Sequence, residues 1–295
     1  MLNLLKKTIK KMFEYIYITI MTIYSFIIVI LRSKFIKFDK TEKSNLYVLG
    51  SGPSLGYTLE NKIEKLLNKD IVAVNYMATT KYFEIIKPKY YILFDPVEIM
   101  DRLDDFIQDV NTREKAYKTR KNLLEIIKVK TKWKMIIFLP MYASKEKEIK
   151  TILENNRNIK IQYINTVVFR GFDKVGNWLR KKSLVSFFFQ NCILTGIYIG
   201  IMNNYKKIFI LGAEHDWIKN IEVNDKNQLI LNDLHFYDGE NNKRILEFNM
   251  IDEYRSLYLL YKEYMKIKQF SEYMNCKIYN ATNGGLLDIF ERTNK

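Results

Sequence analysis

Residues 46–55 read Leu46-Tyr47-Val48-Leu49-Gly50-Ser51-Gly52-Pro53-Ser54-Leu55. A short apolar run stops abruptly at a glycine, and a proline stands three positions later. The run predicts a buried strand. Gly50 and Gly52 let the backbone turn tightly and approach a ligand without a Cβ in the way. Pro53 presets the first turn of a helix. The free N–H groups at such a helix start attract a phosphate, and Ser51 and Ser54 add hydroxyls. The same residues also serve a purely structural strand-to-helix turn. The stretch is not G-x-G-x-x-G and has no Walker lysine, which argues against dinucleotide oxidoreductases and P-loop ATPases.

The rhythm continues outward. Residues 56–68 predict a helix, 71–74 a second buried strand ending at Asn75, and 90–94 a third ending at Asp95-Pro96. Further strands are expected over 134–139, 161–168, 207–211 and 277–279, with helices over 193–204 and 244–274. Strands alternating with helices at this spacing predict an α/β fold, a Rossmann-like, mostly parallel sheet flanked by helices, formed by residues 45–295. Residues 213–243 break the pattern. They are polar, aromatic and rich in Asn and Asp, which predicts an irregular lid.

In an open parallel sheet, ligands bind beyond the carboxyl ends of the strands. Those ends carry the 50–55 loop, Asn75, Asp95, residues 212–217 and residues 280–285. Asn75 and Asp95 read equally as sugar or base contacts and as ordinary cap or turn residues.

The chain has 295 residues and a formal net charge of +15. Residues 1–40 hold eight Lys or Arg against two acids, and the remaining basic residues form no stripe. An anionic lipid surface or an anionic substrate fits this better than nucleic acid. The two cysteines, Cys192 and Cys276, have no ligand spacing, and the two histidines, His215 and His235, are too few for a zinc site, so no metal is expected.

Residues 15–31 contain no charge and would form a helix roughly 26 Å long. Lys6, Lys7, Lys10 and Lys11 precede them; Arg32, Lys34 and Lys37 follow. Basic flanks on both sides give no clear orientation for a span. Residues 1–40 therefore read as a membrane-associated segment, either crossing once or lying in the interface with both flanks on one side. The second is favoured, because crossing would expel one lysine cluster. A buried core helix is the plain alternative.

Several blocks, taken together, resemble the bacterial lipooligosaccharide sialyltransferases (glycosyltransferase family 42). Gly50–Leu55 differs from that family's G-N-G-P-S-L loop only in Ser51. Asn75 matches an Asn that touches the donor, and Asp95-Pro96 stands for Asn-Pro. Leu194-Thr195-Gly196-Ile197-Tyr198 resembles T-S-G-V-Y, residues 206–214 resemble K-E-I-Y-L-S-G-I-D, and residues 281–287 resemble C-P-N-S-L-L. The blocks are short, scattered over about 45–290, and in the family's order. The resemblance implies a GT-A-variant single domain, a CMP-activated sugar donor, a glycan or lipid-linked acceptor, and metal-independent inverting transfer with no cofactor. It implies a histidine base in the lid, for which His235 is the best match, and lid tyrosines on the leaving phosphate, a role suited to Tyr237. Thr195, Gly196 and Asn283 join the expected donor contacts. It also implies a bacterial enzyme of surface-polysaccharide assembly, on the cytoplasmic face of the inner membrane.

The departures are specific. Cys192 stands where the family has an Arg. The family's G-I-D-F-Y becomes Gly212-Ala213-Glu214-His215-Asp216-Trp217, a denser acid–base cluster. The donor sugar is therefore sialic acid or another cytidine-activated acidic sugar such as Kdo. His215, with Glu214 or Asp216, competes with His235 for the role of base. Two other functions remain open: a magnesium-dependent pyrophosphokinase of the methylpterin type, and a non-catalytic nucleotide-binding protein at the membrane. Oligomeric state is not determined by the sequence.

Overall fold

The computed structural model describes residues 1–232, 236–237 and 243–293. Helix α1 (Leu2–Arg32) leads into strand β1 (Asn45–Leu49), helix α2 (Pro53–Asn61), β2 (Asp70–Val74), α3 (Phe83–Ile86), β3 (Tyr90–Ile92) and α4 (Pro96–Ile99). Then follow α5 (Val110–Lys130), β4 (Met135–Pro140), α6 (Lys147–Glu154), β5 (Ile159–Ile164), α7 (Asp173–Lys181), α8 (Cys192–Met202) and β6 (Lys207–Leu211). The chain ends with β7 (Ile221–Val223), β8 (Leu229–Asn232), β9 (Lys243–Ile245), α9 (Met250–Tyr273), β10 (Lys277–Asn280) and β11 (Glu291–Arg292).

The main sheet has eight strands in the order β11-β10-β6-β1-β2-β3-β4-β5, and every pairing is parallel. This is the α/β architecture the strand–helix rhythm predicts. The period-two side-chain alternation of a strand feeds two cores. Leu46 and Val48 of β1 face one layer, with Val72, α8 and α9; Leu49, Ile71 and Ala73 face the other, with Leu55 of α2 and Leu123 of α5. Both faces are covered, so the strands read as continuous apolar runs rather than alternating ones. Helix α8 is buried along its whole length and lies directly on β1.

Two differences from the sequence reading have clear causes. The segment expected to be an irregular lid contains a three-stranded antiparallel sheet, β7-β8-β9. Leu229, Leu231 and Leu246 form its own small core with Trp217 packed against it. The strands are too short, and the segment too rich in Asn and Asp, for the pattern to stand out. The last long helix begins at Met250 rather than 244 because Asn249 caps it. Its Oδ1 accepts from Ile251 N and Asp252 N at 3.0 and 3.1 Å.

Strand β1 is central. β2 to β5 extend from it on one side, β6, β10 and β11 on the other. The connection reverses direction between β1 and β6, so the crevice beyond their carboxyl ends is the topological switch point.

Candidate functional site

The switch point is held tightly shut at its base. Gly50 N donates to Leu211 O at 2.7 Å, and Gly52 N donates to Gly212 O at 2.9 Å. A Cβ on Gly50 would lie 2.1 Å from Gly212 O. The glycine is therefore required by the close approach of the two strand ends.

Above this base opens a cleft of about 610 Å³, a size suited to a small ligand. Its walls include Gly50, Ser51, Gly52, Pro53, Ser54, Asn75, Glu214, His215, Asp216 and Asn283. The structure thus brings together ten of the residues singled out from the sequence, from four separate strand ends. Asn75 takes a left-handed backbone (φ 51°), a conformation Asn tolerates, and its carbonyl accepts from Tyr91 Oη at 2.5 Å. This pins the residue at the end of β2 with its side chain at the cleft.

The most informative contact concerns the start of α2. The N–H that a phosphate was expected to meet is occupied by a protein carboxylate. Ser54 N donates to Glu214 Oε1 at 2.6 Å. The other oxygen, Oε2, lies over Gly52, where a Cβ would come within 1.7 Å of it. Glu214 is buried, and its Oε2 has no hydrogen-bond partner. Gln190, which also lines the cleft, has its Oε1 buried without a partner. Buried acceptors are normally satisfied, and these two, on residues that line one cleft, are not.

His215 also has a left-handed backbone (φ 51°). Its Nε2 meets Tyr264 Oη at 2.7 Å, and Asn191 Nδ2 donates to the same Oη at 3.2 Å. Asn191 fills one acceptor position of the phenol, and the buried phenol proton has His215 Nε2 as its partner. That assigns the neutral His215 proton to Nδ1. Burial pushes the imidazole down to about 4, against a smaller upward pull from Asp216, so it is neutral at pH 7. Its Nε2 lone pair is engaged, which makes His215 a hydrogen-bond donor through Nδ1 rather than a ready base. Asp216 is paired with Lys219 Nζ at 3.3 Å. Among the described residues, no three His, Cys, Asp or Glu side chains converge as a metal-holding group.

Three expectations resolve differently, and Asp95 follows its cap alternative. Asp95 caps α4, its Oδ1 accepting from Val97 N at 2.9 Å, and it is not on the cleft wall. Thr195 is fully buried within α8. A Cβ on Gly196 would lie 2.7 Å from Val48 Cγ1, so this glycine serves helix-on-sheet packing. Tyr237 sits against Tyr76, ring centroids 6.1 Å apart, outside the cleft lining. His235 lies outside the described residues. Its neighbour Phe236 donates its backbone N–H to Ser51 O at 3.0 Å, so the lid touches the glycine loop.

Sequence reasoning missed several cleft residues: Gln190, Asn191, Arg244, Glu253 and Ser256. Asn191 carried a readable signal, an Asn directly before an apolar run, and it caps α8 through Leu194 N at 2.9 Å. Glu253 carried none. It joins the cleft only in three dimensions, with Trp217 Nε1 donating to its Oε1 at 2.5 Å.

Fold and site together define an α/β protein with a polar-lined cleft at the switch point of a parallel Rossmann-like sheet. No family model and no curated protein matches the chain. Among solved structures it is similar to the MAf glycosyltransferase from Magnetospirillum magneticum AMB-1, with a TM-score of 0.43 and 9% sequence identity. The match covers 89% of this chain and 36% of that one, so the chain spans little more than a third of that protein's length.

Proposed function

We propose that this protein is a glycosyltransferase that holds a nucleotide-activated sugar in the β1/β6 cleft. The observation that carries the reading is the pair of buried, partnerless acceptors, Glu214 Oε2 and Gln190 Oε1, on residues that line one cleft. Ribose and sugar rings are dense in hydroxyl donors and satisfy such oxygens. Asn75, Asn191, Ser256 and Asn283 supply further polar contacts, and Trp217 offers an aromatic wall for a ring. The donor we favour is a CMP-activated acidic sugar, on the resemblance of the loop and strand-end blocks. With Glu214 seated at Ser54 N, the sugar or ribose hydroxyls meet this carboxylate.

In the transfer, the acceptor hydroxyl oxygen attacks the anomeric carbon as the bond from that carbon to the phosphate oxygen breaks. The nucleotide leaves with the bonding electrons, and configuration inverts. The hydroxyl proton passes to a base. Asp216, on the cleft wall, and His235, in the lid, are the candidates, since His215 Nε2 is engaged by Tyr264. Asp216→Asn and His235→Gln, assayed separately, distinguish them. The acceptor is a glycan or a lipid-linked glycan. Helix α1 contains a stretch, Leu5–Arg32, long and apolar enough to cross a membrane, and we assign it to attachment at the cytoplasmic face of a bacterial inner membrane.

The test is a thermal-shift series with CMP, UDP, GDP and ADP and their sugar conjugates, with and without magnesium. Stabilisation by CMP and a CMP-sugar without magnesium is expected. Stabilisation only by another nucleotide sinks the cytidine assignment; stabilisation only with magnesium favours a pyrophosphokinase.

A further inference from the structure

Helix α1 is docked on the protein along one side and bare along the other. Ser25 Oγ donates to Arg170 O at 2.7 Å and accepts from Arg170 N at 3.0 Å. Thr22 Oγ1 accepts from Phe172 N at 3.2 Å. Val29 is buried in a cluster with Phe169, Leu179 and Val185. Just after the helix, Lys34 O accepts from Asn165 Nδ2 at 2.7 Å, and Lys34 N donates to Asn165 Oδ1 at 3.1 Å. The carboxyl-terminal half of the helix is therefore fixed to the catalytic body.

The Thr22 and Ser25 contacts fall in the middle of the uncharged run 15–31. A crossing helix would centre that run in the hydrocarbon. The attached segment 169–172, an irregular loop carrying Arg170 and followed by Asp173 and Lys174, would be drawn to the same depth. Irregular, lipid-exposed backbone and unpaired charge do not occupy that depth. Docking and crossing are incompatible.

The bare side has the geometry of an in-plane helix. At about 100° per residue, Ile9, Ile16, Ile20, Ile23 and Ile27 project from one half of α1, and all are exposed. Lys7 and Lys11 project from the opposite half, with Thr22, Ser25 and Val29. Tyr17 and Tyr24 are exposed at one edge of the isoleucine stripe, where aromatic rings suit a membrane–water boundary. We infer that α1 lies flat in one leaflet of an anionic bilayer, isoleucine stripe down. The lysines at both ends then lie in the headgroup layer on the same side, and the catalytic body rests on the helix from above. The occupant of the stripe is lipid: seven basic residues flank the uncharged run at its two ends, which complements phosphatidylglycerol and not a neutral surface.

This inference rests on the assignment of α1 to a membrane, and one experiment separates the two. Full-length protein is mixed with preformed vesicles of phosphatidylglycerol and phosphatidylcholine, or of phosphatidylcholine alone, and floated. Asn3→Cys and Phe35→Cys variants are then labelled with a membrane-impermeant maleimide; the native Cys192 and Cys276 are buried. Flotation with anionic vesicles only, labelling of both sites from outside, and at least tenfold weaker flotation of Ile20→Glu/Ile27→Glu support the inference. Protection of one site with labelling of the other means a span and overturns it while leaving membrane attachment intact. No flotation with either vesicle overturns both. A wild-type dimer that Ile20→Glu/Ile27→Glu converts to a monomer, without flotation, assigns the stripe to a second copy of the chain.

Discussion

Alanine at Gly50 and alanine at Gly52 should have very different consequences, although the two glycines stand two residues apart in one loop. At Gly50 the new methyl carbon would lie 2.1 Å from Gly212 O and 2.8 Å from Gly212 C. Both are backbone atoms at the end of β6 and cannot rotate away. The ends of β1 and β6 would have to separate by about 1 Å, weakening the 2.7 and 2.9 Å hydrogen bonds between them. Two backbone bonds at about 1 kcal/mol each, plus about 1–3 kcal/mol of overpacking, predict a loss of roughly 3–5 kcal/mol. At Gly52 the methyl would meet Glu214 Oε2 at 1.7 Å, the far end of a flexible side chain. Glu214 can swing out, leaving Ser54 N to water in an open cleft, so the loss should be only about 1 kcal/mol. Ligand stabilisation, by contrast, should disappear in Gly52→Ala because its hydroxyl acceptor has moved. Urea unfolding gives the stabilities, and the CMP-sugar thermal shift gives the binding. A Gly50→Ala protein within 1 kcal/mol of wild type would refute the claim that close strand approach requires this glycine. A Gly52→Ala protein that binds normally would refute the role given to Glu214.

His215 and Glu98 should tilt the pH dependence of stability in opposite directions. Burial holds His215 at about 4 against an ordinary 6.5. The unfolded chain therefore binds more protons between those values, and stability falls by up to about 3 kcal/mol as the pH drops through them. His215→Gln should flatten that acid limb in urea titrations. Burial, reinforced by Asp95, holds Glu98 at about 8 against 4.5, so its contribution is lost as the pH rises through that window. Glu98→Gln should be the more stable protein at pH 8, and an unchanged slope between pH 4.5 and 8 would count against its burial as an acid. Asp70, buried at the opposite end of β2 from the cleft, accepts from Lys43 and Lys89 at 2.7 Å and from Tyr205 at 2.5 Å. Asp70→Asn should lose about 3 kcal/mol while leaving ligand shifts per bound nucleotide unchanged; a shift in affinity would mean the two ends of the sheet are coupled.

The apolar runs ending in Gly50, Asn75 and Gly212 determined the parallel sheet, because strands buried on both faces must be continuously apolar and must end where the chain turns. The same runs located much of the cleft, since the carboxyl ends of parallel strands converge wherever the strand order reverses. They did not reveal the order itself. That β6 lies beside β1, and so brings Glu214 to Ser54 across 160 positions, is a fact of tertiary packing. Nor did the local pattern separate Thr195 and Gly196, buried against β1, from residues that face the cleft, because α8 is apolar all round and has no readable polar face. For α1 the sequence specified an uncharged helix with basic ends and left its orientation open. The contacts of Thr22 and Ser25 with a loop 145 to 150 positions away set one side of that helix against protein, and only the tertiary structure could supply them.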